Sequence, residues 1–179
     1  MHITMPRGFW VVAVIAAAAL SSTTVWAAGP TGDESRAAFE RLKGLVGVWD
    51  VTEKDNPALK EVVTYSTTGR GSVLMEEFQA PVTQMGHMLT AYHLDVDRLV
   101  LTHFCGAGNQ PRMRVAAVED GGKRIAFDMY DITNLVRPDA YHSTHVDVVF
   151  LGENRVDLIY GGVNAGKATR QVFQLTRRH

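Results

Sequence analysis

The stretch that begins at Gly86, GHMLTAYHLDVDRLVLTHFCGAGNQPRMRV, constrains the fold more than any other part of the chain. Polar and apolar side chains alternate on both sides of a turn at Asp95 to Arg98. A Gly106–Pro111 loop follows, and then a third alternating run begins. A period of two marks a half-buried strand, and connections this short force neighbouring strands to run antiparallel. Similar runs fall near 46–53, 60–68, 72–80, 86–95, 98–105, 112–119, 123–130, 143–151, 154–161 and 168–177, divided by Gly-, Asn-, Asp- and Pro-rich breaks. A hairpin-linked sheet of this size removes its exposed edges best by closing on itself. The expected fold is therefore all-β: an up-and-down antiparallel barrel of roughly ten strands.

Strand parity sorts the side chains. A turn centred on Val96 and Asp97 places Leu94 opposite Leu99, Tyr92 opposite Leu101 and Thr90 opposite His103. The bulkier face of that hairpin (Met88, Thr90, Tyr92, Leu94, Leu99, Leu101, His103 and Cys105) is assigned to the interior, and a one-residue slip would invert the assignment. One helix is expected over Glu34–Lys43, capped by Thr31 or Asp33 and closed by a left-handed Gly44. The longest irregular link, Asp131 to Ala140, is long enough to fold over a barrel mouth.

The first residues read as an address. One basic residue, Arg7, precedes the apolar run FWVVAVIAAAAL, and Val25-Trp26-Ala27 supplies the small-x-Ala pattern of a signal-peptidase site. The expected organisation is a signal peptide over 1–27, a disordered leader over 28–33 and the barrel domain over 34–179. The apolar run is too short to span a bilayer comfortably. Location in the periplasm or outside the cell follows. Roughly 150 residues remain, enough for one core without staples. The net charge of −1 and the absence of a basic run argue against a nucleic-acid partner. A lone cysteine, Cys105, excludes an internal disulfide.

The stretch LKGLVGVWDV carries Gly47-Val48-Trp49 at the entrance of the first strand, and the last strand, ATRQVFQLTRRH, places Phe173, Leu175 and Arg177 on one face. In these features the chain resembles the calycin superfamily of lipocalins, fatty-acid-binding proteins and nitrobindin-like barrels. The resemblance implies that Trp49 plugs the closed end and that Arg177 packs across its ring. YHLDVDRLVLTHFCGAGNQPRM and FDMYDITNL are similar to a group of exported bacterial proteins of this size, over nearly the whole chain after the leader. That group brings no activity with it. Resemblance to nitrobindin-like barrels implies a haem whose iron is held by a late-strand histidine, which places His145 first, in HSTHVDVVF, with His142 behind it.

A barrel of this size commonly encloses one small ligand. The candidate lining residues are Tyr92, His103, Cys105, Met113, Phe127 and Met129, for an apolar or amphipathic molecule; the alternative is that they simply fill the interior. His87 and His93 lie about 20 Å apart along one strand and cannot share a metal. The Cys/His spacing supplies no closed zinc site, and an open one would need His103, Cys105 and either His142 or His145. No GxSxG elbow, HExxH helix or phosphate loop is present. A hydrolase or isomerase reading would use His103, Asp128, Asp131 and His142. An interaction role at the cell envelope is a further alternative. Asn109 and Gln110 are expected to satisfy backbone groups at the rim, with Arg112 and Arg114 free to meet an anion.

Overall fold

The alternation from residue 47 onward becomes a closed barrel in the computed structural model, which describes residues 29–79 and 86–179. The expected signal peptide lies outside the described residues. Ten strands follow in chain order: β1 Gly47–Glu53, β2 Asn56–Thr68, β3 Val73–Gln79, β4 His87–Asp95, β5 Arg98–Phe104, β6 Gln110–Glu119, β7 Arg124–Thr133, β8 His142–Gly152, β9 Arg155–Asn164 and β10 Lys167–Arg177. Each strand pairs antiparallel with its sequence neighbours, and β1 pairs with β10 to close the ring. Among the described residues no helix is long and apolar enough to cross a membrane.

The register of the β4–β5 hairpin is the one its turn demands. Leu94 pairs with Leu99, Tyr92 with Leu101 and Thr90 with His103. Thr90, Tyr92, Leu99, Leu101, His103 and Cys105 are buried, while Met88 and Leu94 pack against the core from its edges. Val96 takes a φ of 57° at the tip of the turn and is exposed, so a β-branched side chain occupies the left-handed region.

A helix, α1 (Gly32–Lys43), closes one end. It begins earlier than the sequence suggested because Thr31 is its cap. The Thr31 hydroxyl accepts from the Glu34 N–H at 3.3 Å, while the Glu34 carboxylate accepts from the Thr31 N–H at 2.8 Å. Residues 31–33 are thus part of an ordered helix start rather than a disordered leader. Gly44 also departs from expectation: its φ of −62° is right-handed, and the positive φ falls at Gly47, at 135°. The helix ends in a right-handed turn instead: the Gly44, Leu45 and Val46 N–H groups donate to the Arg41, Leu42 and Lys43 carbonyls at 3.0, 2.9 and 3.2 Å. The Arg177 guanidinium then takes the next free carbonyls, those of Gly44 and Val46, at 2.7 and 2.9 Å.

Ala38, Phe39 and Leu42 of α1 join Leu45 and Trp49 in the core. The Trp49 indole donates to the Leu45 carbonyl at 2.8 Å, and the Arg177 guanidinium lies 4.3 Å from the centre of the Trp49 ring. The β4–β5, β6–β7 and β8–β9 turns ring this closed end. At the opposite end, the mouth, the link after β7 is tied down. Asn109 donates to the Tyr141 carbonyl at 2.7 Å, and the Gly166 N–H donates to the Asp139 carbonyl at 3.3 Å.

Candidate functional site

Inward-facing side chains divide the barrel into two halves. Toward the helix, Trp49, Val63, Leu74, Leu99, Met113, Ile125, Phe127, Val148 and Leu158 are shut off from solvent, so this half is filled. Toward the mouth, Glu53, Met88, Met129, Tyr160, Gln171 and Phe173 face inward yet keep partial solvent access. Solvent therefore reaches the upper lumen. Of the residues expected to line a cavity, Met113 and Phe127 belong to the filled half, and Met129 reaches the open one. Phe127 meets the ring of Tyr92 edge-on at 5.8 Å.

Between the halves runs a polar girdle. Cross-strand pairing sets Tyr65 of β2 beside Glu76 of β3, Glu76 beside Thr90 of β4, and Thr90 beside His103 of β5. Glu76 is buried with no cation near it among the described residues, and its carboxylate accepts four hydrogen bonds. Tyr65 and Tyr92 donate to Oε2 at 2.7 and 2.9 Å. Tyr160 and Thr90 donate to Oε1 at 3.0 and 3.1 Å. Four hydroxyl donors match the lone-pair directions of an ionised carboxylate. Burial pushes the Glu76 acid above its usual range and the four hydroxyls pull it back, with a net upward shift. The opposing energies are comparable. Desolvation of a carboxylate costs several kcal/mol, and charge-assisted hydrogen bonds return about 1.5–3 kcal/mol each. Burial, with the Glu76 charge, also drives the three phenols well above their ordinary value, so they remain neutral donors.

The same geometry fixes a tautomer. Thr90 has one hydroxyl hydrogen and gives it to Glu76, yet His103 Nδ1 lies 2.9 Å from the Thr90 oxygen. With Glu76 ionised, Nδ1 is therefore the donor of this pair. Burial lowers the His103 pKa to about 4, so the ring is neutral at physiological pH. The lone pair then resides on Nε2, which has no hydrogen-bond partner among the described residues. Cys105, two residues closer to the mouth, is a buried free thiol whose pKa burial raises, the opposite of an activated nucleophile.

His145 belongs to the outer surface, because Val146 and Val148 occupy the inward positions of β8. Its Nδ1 lies 2.6 Å from Asp128 and its Nε2 3.0 Å from Asp147, and Asp147 also meets Arg124 at 2.8 Å. A haem iron needs an inward imidazole with a free nitrogen, and His145 offers neither. His142 is buried and donates Nδ1 to the Ala140 carbonyl at 2.7 Å. It pairs with Val163, one residue past the inward Gly162, and so does not face the lumen. The lumen itself presents carboxylates and, among the described residues, no lysine or arginine to receive propionates. These residues do not fit a haem. The grouping of His103 with Asp128 and His142 also dissolves, since Asp128 faces outward to His145 while His103 faces inward. Among the described residues no three His, Cys, Asp or Glu side chains gather closely enough for a metal. Arg112 pairs with Asp131 and so is not free for an anion.

Glu76, Tyr65 and Tyr160 were not anticipated. The LMEEF run offers two adjacent glutamates, and only the register with Tyr65 and Thr90 identifies the inward one. A second depression of about 540 Å³ lies at the closed end between Arg41, Leu45, Phe150, Glu153, Asn154 and Arg177. Arg177 is engaged there with Trp49 and two carbonyls, and Arg41 stacks on Phe150 at 4.4 Å. This is the construction of a plug. Neither a scan against protein-family models nor a search of curated proteins returns a match to this chain.

Proposed function

We propose that the chain is an exported small-molecule-binding barrel of the calycin type, whose apolar or amphipathic ligand lies in the upper lumen above the Glu76 girdle. One observation carries the reading: the inward-facing side chains below the girdle are shut off from solvent, whereas Glu53, Met88, Met129, Tyr160, Gln171 and Phe173 above it keep partial access. A barrel evolved only as a scaffold has no need of a polar floor beneath an open upper chamber. Such a floor suits a ligand with one polar end and an apolar body. Its orienting group is His103 Nε2, beside the hydroxyl-capped Glu76 carboxylate of the floor, and its walls are Phe78, Phe173, Tyr160 and Met88. Phe78 and Phe173 meet edge-on at 5.3 Å, and Phe173 and Tyr160 at 6.0 Å, so the wall is aromatic and rigid.

The apolar N-terminal segment with its Val25-Trp26-Ala27 site supports export. An interaction role at the envelope is less well supported. The exposed large apolar side chains among the described residues are split between the closed end (Val46, Val96, Leu151) and the mouth (Phe104, Tyr130, Val136) rather than gathered.

The test is native mass spectrometry of protein purified gently from a bacterial periplasm, combined with uptake of the neutral fluorophore N-phenyl-1-naphthylamine. A retained small mass, or saturable fluorescence lost on replacing Met88 by Trp to fill the chamber, supports the reading. A bare chain that takes up no fluorophore overturns it.

A further inference from the structure

Resting on the ligand-binding reading, we infer that the lumenal ligand is cationic: an amine carried on an apolar body. Among the described residues the inward face of the upper barrel collects three carboxylates and no counter-charge. Glu53 closes β1 at the mouth, Glu61 faces inward from β2 beside it, and Glu76 forms the floor. Among the described residues none of the three has an ion-pair partner, and none of the inward positions above the floor is a lysine or arginine. The connection 80–85, APVTQM, contains neither residue in its sequence.

Glu61 is nearly inaccessible, and its acid is held above the usual range first by burial and then by the charge of Glu53. Glu53 receives only a long hydrogen bond from Gln171, at 3.4 Å. Two neighbouring carboxylates in a restricted space repel one another, and a cation placed between them relieves both.

Three further features point the same way. His103 is buried, its Nδ1 is committed as a donor to Thr90, and its inward ring therefore presents Nε2 as a lone-pair acceptor. An ammonium N–H satisfies an acceptor; a carboxylate or phosphate does not. The walls are aromatic: His103 lies 5.7 Å from Tyr160, which continues through Phe173 to Phe78. Aromatic faces attract cations and repel anions. Finally, the hydroxyls that stabilise Glu76 all point at Glu76, so none remains to hold an incoming anion. A fatty-acid carboxylate would enter a low-dielectric space already holding negative charge.

The experiment compares three probes that share one chain length and differ only in head group: dodecylamine, dodecanol and dodecanoate. Each is titrated by calorimetry, below its micellar concentration, into the full protein. The expected order is dodecylamine first, with dodecanoate weaker by at least about tenfold, the size of effect a single charge contact commonly produces. Glu61→Gln and Glu53→Gln should each weaken dodecylamine by about tenfold and leave dodecanol unchanged. Glu77→Gln, on the outer face of β3, controls for attraction to the protein's overall negative charge and should change nothing. Equal affinity for amine and carboxylate, or an amine preference untouched by the Glu61 and Glu53 substitutions, overturns the cationic assignment while leaving a ligand-binding barrel intact. Failure of all three probes to bind overturns the ligand-binding reading, and this inference falls with it.

Discussion

His103 is buried at the centre of the barrel with its pKa lowered from 6.5 to about 4, and desolvation is the cause. The thermodynamic consequence has a definite sign. A depressed folded-state pKa means that the unfolded chain binds a proton at a pH where the folded chain does not. The stability conferred by keeping this ring neutral is complete above pH 6.5 and drains away as the pH falls toward about 4. At about 1.4 kcal/mol per pH unit, the full effect is about 3 kcal/mol. Glu76 acts in the opposite direction: its raised pKa lets the folded state take up a proton first, so acid lightens its burial penalty. Wild type alone therefore reports a sum of the two.

His103→Asn separates them. The amide nitrogen of asparagine occupies the place of Nδ1 and preserves the donor to Thr90, but it cannot titrate. Urea unfolding followed by circular dichroism, repeated across the window from pH 6.5 to about 4, should show wild type losing about 3 kcal/mol more than the variant. With urea slopes of about 1–3 kcal/mol per molar, the difference in midpoint shift is about 1–3 M. Parallel loss of stability in the two proteins would refute the argument, because His103 would then titrate as though exposed.

Three other outcomes follow from particular contacts. Replacing Arg177 by Ala removes a stacked cation from Trp49 and orphans the Gly44 and Val46 carbonyls, and should cost about 2–3 kcal/mol in thermal or urea unfolding. Val96→Asn should instead stabilise the protein by about 1 kcal/mol, since asparagine tolerates the φ of 57° that valine resists; an unchanged melting temperature would contradict it. A methyl group at Gly162 would lie 2.5 Å from the His142 carbonyl oxygen and 3.2 Å from the Thr169 hydroxyl. Gly162→Ala should therefore destabilise by about 1–3 kcal/mol and loosen the mouth, seen as faster amide exchange at the ends of β8 and β9.

Much of the architecture was legible because strand parity and turn chemistry are local. The Asp95 to Arg98 turn alone dictated which side chains of two strands face inward, and burial of Thr90, Tyr92, Leu101 and His103 follows from it. The girdle was not legible. A buried glutamate is costly in isolation, so nothing near LMEEF argues for placing Glu76 inside. The groups that make it tolerable come from elsewhere: Tyr65 and Tyr92 lie 11 and 16 residues away, and Tyr160 lies 84 residues away. Such a site becomes visible only once closure brings β3 and β9 to face one another across the lumen. His145 misled for the related reason that strand parity near Ser143 is interrupted by a bulge, and its partners, Asp128 and Asp147, are both on the outer wall.

The pairing of β1 with β10 also sets when this protein can exist at all. Asp50 and Arg178, joined by an ion pair across that seam, stand 128 residues apart. The first strand made is thus among the last to be satisfied, and until the final residues emerge both β1 and β9 carry a row of open peptide groups. A chain clipped within its last strand does not lose a tail; it loses the ring, the anchor over Trp49 and the cap on the helix end together. Quality control of such a protein needs no separate inspector, because an incomplete copy advertises itself by its edges.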